Sequence, residues 1–281
     1  MTMSIRKSTT AIALAFGALA SPVSRTLAQA TVLPDTTQHL SLFTSADALL
    51  AVGFVAGTVA MFPVDRSIAR RLVNENSKAN QFFDKSATGF EVLSVPGAYI
   101  LGPAVYAFGH YTHRPDIADL GWHSTEAVIV ATGVTGVLKG LLGRSRPYVT
   151  NDTNPNDFSF GKGFLGEDRS SFPSAHTAVA FAAASSVTSE VQHLWPGHTW
   201  IVAPVMYGGA TLVGLGRMYH NKHWASDVAL GAGIGTFIGL KTVRYAHLHP
   251  DNRLDQWLLS TTVAPSSNGG MALSWNLPLS H

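Results

Sequence analysis

The residues best equipped for chemistry lie in one short stretch, Arg217-Met-Tyr-His-Asn-Lys-His223-Trp-Ala-Ser-Asp227. His223 and Asp227 are four residues apart, so on a helix they share one face. A carboxylate one turn from an imidazole can hold one ring N–H, leaving the other nitrogen aimed and more basic. That is the nucleophile-and-orienter portion of a catalytic triad. Arg217, at the end of an apolar run, adds a planar fork for an anion. Taken alone, the pair also reads as a capping or core histidine with its partner.

Two further stretches change that balance. Lys139-Gly-Leu-Leu-Gly-Arg-Ser-Arg146-Pro147 closes an apolar segment with three basic residues in eight positions. The residue before a proline avoids the helical region, so Arg146 is expected on extended backbone, with Lys139 two turns back. A plain helix C-terminus also gathers cations. The other stretch is Ser171-Phe-Pro173-Ser174-Ala175-His176-Thr177, followed by an alanine-rich run. Ser174 suits an N-cap. The amides of Ala175, His176 and Thr177 would then leave a helix N-terminus as an anion site. The small Ala175 lets a ligand approach, and His176 stands where it could give up a proton.

Together the three stretches resemble the type 2 phosphatidic acid phosphatase and vanadium haloperoxidase superfamily. Its pattern is Lys-x6-Arg-Pro, Pro-Ser-Gly-His and Ser-Arg-x5-His-x3-Asp, in that order. Lys139, Arg146 and Pro147 match the first part. Pro173, Ser174 and His176 match the second, with Ala175 in place of glycine; Arg217, His223 and Asp227 match the third, with Gly216 in place of serine. The resemblance implies that His223 attacks phosphorus, Asp227 orients it, and His176 protonates the leaving alcohol and then activates water. It implies that Lys139, Arg146, Arg217 and the amides near Ser174 and Ala175 neutralise the phosphate. Phosphoryl transfer needs mainly positioning and charge stabilisation, so no metal or other cofactor is expected. Vanadate is expected as an inhibitor. In the alternative reading, a haloperoxidase, it would be the cofactor. A non-catalytic envelope or membrane protein is the alternative outside enzymes.

The elements that must position these groups follow from the rest of the chain. The 281 residues are 46% hydrophobic and 13% charged, enough for one core or a membrane domain. Net charge is +2, with no basic stripe that would suit nucleic acid, and there is no cysteine. Residues 1–30 read as a signal peptide: Arg6 and Lys7, an apolar core from Ala11 to Ala20, and Ala28-Gln29-Ala30 for cleavage. Residues 31–250 form the phosphatase-like domain and 251–281 a tail.

Apolar runs at Ala46–Phe62 (ended by Pro63), Phe90–His110, Gly121–Gly143, Ser174–Glu190, Thr199–Gly216 and Trp224–Ala246 predict an all-α bundle of about six main helices. Val64–Asp84, with Arg66, Arg70 and Arg71, reads as a surface helix. Tyr148–Ser171 reads as a long loop, a lid or substrate loop, in which Phe158, Phe160 and Phe164 meet an apolar leaving group or anchor the loop. Pro265–Leu279, about Asn268-Gly269-Gly270, suits a short β-hairpin. His220, His223 and Asp227 could also hold a metal, but Lys139, Arg146 and Arg217 would crowd it. His110, His113 and His123 read as loop or interface residues.

The substrate is expected to be a phosphorylated small molecule, a lipid phosphate or a polyprenyl diphosphate. The site is expected on the periplasmic or secreted side. The bundle is expected to be soluble or only peripherally attached to a membrane, because uncharged runs are short. Only 12 residues separate Glu126 from Lys139 and 13 separate Asp227 from Lys241, against ~20 for a span.

Overall fold

The computed structural model describes residues 41–73, 81–249, 261–265 and 271–275. The expected signal peptide lies outside them. The helices are α1 (Ser45–Met61), α2 (Asp65–Val73), α3 (Gln81–Ser94), α4 (Gly97–Tyr111), α5 (Pro115–Leu142), α6 (Ala175–Leu194), α7 (Thr199–Tyr219) and α8 (Ala225–Leu248). The fold is an all-α bundle, followed by strands β1 (Thr261–Pro265) and β2 (Met271–Trp275), which pair antiparallel with Val263 opposite Leu273.

Local chemistry sets the boundaries. Thr44 caps α1 reciprocally with Asp47: the Thr44 N–H donates to the Asp47 carboxylate at 2.6 Å, and the Asp47 N–H donates to Thr44 Oγ1 at 3.4 Å. The α-helix ends at Met61, beside Pro63 as expected, but the chain does not turn away there. Pro63 sits in a 3-10 turn, Phe62–Val64, which passes the chain directly into α2. A proline in a first turn forfeits only an N–H that had no intrahelical partner. Pro96 does break the next apolar run, separating α3 from α4, whereas Pro103 is carried inside α4. Gly143 ends α5 with φ +58, and a Cβ there would lie 1.9 Å from the Ser159 carbonyl oxygen.

The largest helix interface joins α6 and α8. Gly231, Gly235 and Gly239 recur every four residues along α8. Cβ atoms on them would lie 2.5 Å from the Ser174 carbonyl, 2.2 Å from the Ala178 carbonyl and 2.0 Å from Ser185 Oγ. This small-residue seam lets the two backbones approach closely. Around it, Phe181, Ala184, Ala210 and Ala232 form one buried cluster, and Ile68, Met218, Ala225 and Val228 another. Asp47 pairs with Lys241 at 2.6 Å, which fixes the start of α1 against α8.

The outward faces contradict a soluble bundle. Leu49, Val52, Val55 and Val59 stand exposed along α1, Ile129, Val130, Val134 and Val137 along α5, and Trp200, Ile201 and Val205 along α7. A water-facing surface does not carry apolar stripes of this length. Among the described residues, three stretches, Ser45–Val73, Pro115–Leu142 and Pro196–Tyr219, are long and apolar enough to cross a membrane. The bundle is therefore membrane-associated. Counting uncharged residues misled at Glu126, which is half-buried and interrupts the run without ending it.

Candidate active site

Four helix ends meet at one pole of the bundle. Lys139 lies in the last turn of α5, Ser174 caps α6, Arg217 lies in the last turn of α7, and Asp227 lies in the first turn of α8. Arg146, with φ −72 and ψ 155, sits on the extended segment leaving α5, as its proline neighbour requires. The Ser174 N–H donates to the Asp227 carbonyl at 3.0 Å, locking the start of α6 to the start of α8.

His223 and Asp227 do not share a helix face. Trp224 is the N-cap of α8, so His223 precedes the helix and Asp227 is its third residue. One carboxylate oxygen, Asp227 Oδ2, accepts the Trp224 N–H at 2.8 Å, the Ser171 hydroxyl, and a contact from His223 Nδ1 at 3.4 Å. The group that orients the histidine thus also caps its own helix. The other oxygen, Oδ1, accepts from Arg144 Nη1 at 2.5 Å.

Arg144 organises this side of the site and is fully buried. Its Nη2 donates to Asp65 at 2.7 Å, its Nη1 also to Ser226 Oγ at 2.7 Å, and its Nε to the Pro155 carbonyl at 2.7 Å. Asp65 in turn accepts the Ser226 N–H at 2.8 Å. The guanidinium lies among the rings of Phe62, Phe158, Phe172 and Trp224, between 4.7 and 5.6 Å from their centres. The Trp224 indole N–H donates to the Ser145 carbonyl at 2.9 Å.

The remaining cations are held by acceptors at the rim. Lys139 Nζ donates to the Ser170 carbonyl. Arg146 donates to the Glu167 carbonyl at 2.8 Å and to Ser170 Oγ at 3.3 Å. Arg217 pairs with Glu91 at 2.9 Å, while its Nε is buried without a hydrogen-bond partner. His220 also contacts Glu91, at 2.7 Å, and Asp84, so it turns away from His223 and Asp227. Ser174 Oγ is buried and accepts from the Thr177 hydroxyl at 2.9 Å and the Thr177 N–H at 3.5 Å. The Thr177 amide is thereby used. Those of Ala175 and His176 keep the first-turn freedom from intrahelical bonds.

Electrostatics set the proton inventory. Burial, followed by the Arg217, Lys139 and Arg146 charges, pushes the His176 imidazole down to about 3. Burial, then Lys139, pushes His223 well below the usual histidine range, outweighing the opposing pull of Asp227. Burial alone would raise Asp227, but Arg144 and the hydrogen bonds from His223 and Ser171 hold it at about 2. The site therefore presents two neutral imidazoles, one permanent carboxylate and a converging set of cations.

Residues 120–250 match the model of the PAP2 superfamily. The segment contains Lys139, Arg146, Ser174, Ala175, His176, Arg217, His223 and Asp227. It begins after Asp65 and Glu91, so two carboxylates of the site come from outside it. The chain is 39% identical over 89 residues to a lipid A 1-phosphatase of Porphyromonas gingivalis, covering 31% of this chain. It spans about a fifth, 19%, of that relative's length. Its fold is similar to that of a transmembrane PAP2-type phosphatidylglycerolphosphate phosphatase from Bacillus subtilis. The TM-score is 0.55 at 19% identity, over 72% of this chain and 96% of that one.

Residues 120–250 hold the motif residues and two of their supports, Arg144 and Ser171, but not Asp65 or Glu91. Arg144, Asp65, Ser171 and Glu91 were missed in the sequence reading. Arg144 lay in plain view as the middle of three clustered cations. Asp65 was hidden in a stretch taken for a surface helix: Arg66 and Arg70 are indeed exposed, but Asp65, Ile68 and Ala69 are buried. Glu91 is a lone acid near an apolar run, a usable signal, since a carboxylate is seldom placed there without a partner. The loop 148–171 is more ordered than expected. The Ser145, Arg146, Ser159 and Ser171 amides donate to Asp157, Asp168, Gly143 and Arg144 carbonyls at 2.9 to 3.0 Å. Within it Phe158 anchors the core, Phe164 lies over Gly140, and Phe160 is exposed.

Proposed function

We propose that this chain is a membrane-embedded phosphatase. It hydrolyses phosphate monoesters of amphiphilic substrates, lipid phosphates or polyprenyl diphosphates, through a phosphohistidine on His223. The carrying observation is that His223 Nδ1 faces Asp227, which leaves Nε2 for attack where Lys139, Arg146 and Arg217 converge. The names of the two relatives, each a phosphatase of a lipid phosphate, support the same substrate class.

In the first step the Nε2 lone pair attacks phosphorus and the ester P–O bond breaks. His176 gives its proton to the departing alkoxide. In the second, neutral His176 takes a proton from water, the water oxygen attacks phosphorus, and the P–N bond breaks to release inorganic phosphate. His176 is neutral when surrounded only by cations. A phosphate dianion cancels their charge, so its arrival lets His176 hold the proton it must deliver. The three cations, the unpartnered Arg217 Nε and the Ala175 and His176 amides supply the charge that phosphoryl transfer requires without a metal.

Two features support an amphiphilic leaving group. Phe160 and Leu165 project from the loop beside the cations, 78% and 82% exposed. An apolar groove of about 240 Å³ runs between α3, α4, α5, α6 and α7, lined by residues that include Phe90, Leu101, Val105, Met206 and Val213. Phe90 adjoins Glu91, the partner of Arg217, so the groove starts beside the site. The site is proposed to face the periplasmic or secreted side.

The test is phosphate release by the detergent-purified chain from phosphatidic acid, lipid A, a polyprenyl diphosphate and soluble phosphomonoesters, with and without vanadate. Lipid phosphates should be cleaved in preference, and vanadate should inhibit by occupying the anion cradle. Folded protein that releases phosphate from none of them overturns the reading. Retention in membranes after carbonate extraction, with reporters at Asn156 active only outside the cytoplasm, is expected for the topology.

A further inference from the structure

At the pole opposite the phosphate site, three helices bring His123 of α5, Glu190 of α6 and His247 of α8 together. His123 lies 16 residues before Lys139 and Glu190 lies 14 after His176, about 24 and 21 Å along their helices at ~1.5 Å per residue. His123 was expected to be a loop or interface residue; it is buried instead. His123 Nδ1 contacts Glu190 Oε1, and His247 Nε2 lies 3.0 Å from Glu190 Oε2 and 3.2 Å from Oε1. The three donor atoms all lie within 4.8 Å of one another. Glu190 is fully buried, and its ion-pair partners among the described residues are these two histidines.

We propose that this cluster is a structural zinc site, with His123 Nδ1, Glu190 and His247 Nε2 as ligands. Two imidazoles and one carboxylate form a borderline donor set that suits zinc better than the oxygen-seeking magnesium or calcium. Ligands ~2.0–2.2 Å from a tetrahedral zinc stand about 3.3–3.6 Å apart, so the observed span encloses such a sphere after small side-chain rotations. A buried carboxylate held by two imidazoles lacks a permanent countercharge, which a divalent ion supplies. Each imidazole then presents its lone pair with its proton on the other ring nitrogen. Any imidazolium proton leaves to solvent. The His247 side chain is 30% exposed, which gives an entry path. The His193 ring lies beside that of His247, tilted, with 4.0 Å between centroids. The ion would clamp α5, α6 and α8 at the end away from the phosphate site.

This proposal is independent of the phosphatase reading, and its test reads no activity. The full chain in detergent is stripped with chelator, reloaded with zinc chloride and dialysed. Zinc is then counted by mass spectrometry, and thermal unfolding is followed with and without zinc. The wild type and a His198→Ala control should keep about one zinc per chain and unfold at higher temperature with it. His247→Ala and Glu190→Gln should bind at least tenfold less and lose the zinc-dependent shift. Replacing the half-exposed His247 leaves the buried carboxylate with His123, so that variant carries the test if Glu190→Gln does not fold. Wild-type protein that keeps no more zinc than His247→Ala overturns the proposal.

Discussion

Replacing Arg144 with methionine keeps most of the side-chain volume and removes the charge. Asp65 and Asp227, each with no exposed side-chain surface, then share no cation. Breaking a buried ion pair costs ~3–5 kcal/mol. The alternative, protonating one carboxyl at pH 7 from an ordinary value near ~3.9, costs about 4 kcal/mol. One guanidinium serves two carboxylates here, so the loss should be about 4–8 kcal/mol, a large part of a typical stability of ~5–15 kcal/mol. At ~2–4 °C per kcal/mol, the unfolding midpoint should fall by at least about 8 °C. Activity should vanish too, because Asp227 loses the contact that fixes it under His223. Adding Asp65→Asn to Arg144→Met removes one of the two stranded charges and should recover part of the stability, but none of the turnover. The assays are fluorescence-monitored unfolding in detergent and phosphate release. An Arg144→Met protein that melts within about 2 °C of wild type and keeps its kcat/KM would show that this network does not support the site.

His223→Ala should abolish phosphoenzyme, whereas His176→Ala should slow turnover most for poor leaving groups; rapid-quench labelling distinguishes them, and undiminished labelling of His223→Ala refutes the nucleophile. Anion binding should carry a proton to His176. A ligand that raises a depressed pKa takes up a proton and binds more tightly as pH falls toward the free value of about 3. Vanadate titrated calorimetrically in buffers of different ionisation heat should therefore show more proton uptake by wild type than by His176→Gln, and equal uptake would refute the coupling. Gly143→Ala combines a left-handed backbone cost of ~1–2 kcal/mol with a Cβ 1.9 Å from the Ser159 carbonyl. Its midpoint should drop by several degrees, and an unchanged melting curve would show that the loop yields freely.

The motif residues were legible because their chemistry is local: a proline dictates the backbone of Arg146, and a serine dictates the start of α6. The helices were legible from apolar runs, and most boundaries moved by only a few residues. The way Asp227 acts was not legible. Four-residue spacing suggested one helix face, but the chain enters α8 at Trp224, and the same interval became a cap. Asp65 and Arg144 are 79 positions apart, and no local pattern shows that two such groups meet. The soluble reading failed for a related reason. A run of uncharged residues measures the sequence, whereas a membrane meets only the outward face, and Lys139 turns from that face to the Ser170 carbonyl.

The bond between Asp65 and the Ser226 amide spans 161 residues, and this gives the site a schedule. A ribosome adding ~5–20 residues per second delivers Ser226 about 8–32 s after Asp65. During that interval the carboxylate waits, first for Arg144 and then for the helix that Asp227 begins. A chain released before α8 emerges would therefore hold Asp65 against Arg144 but lack the Ser226 and Asp227 partners that complete the network.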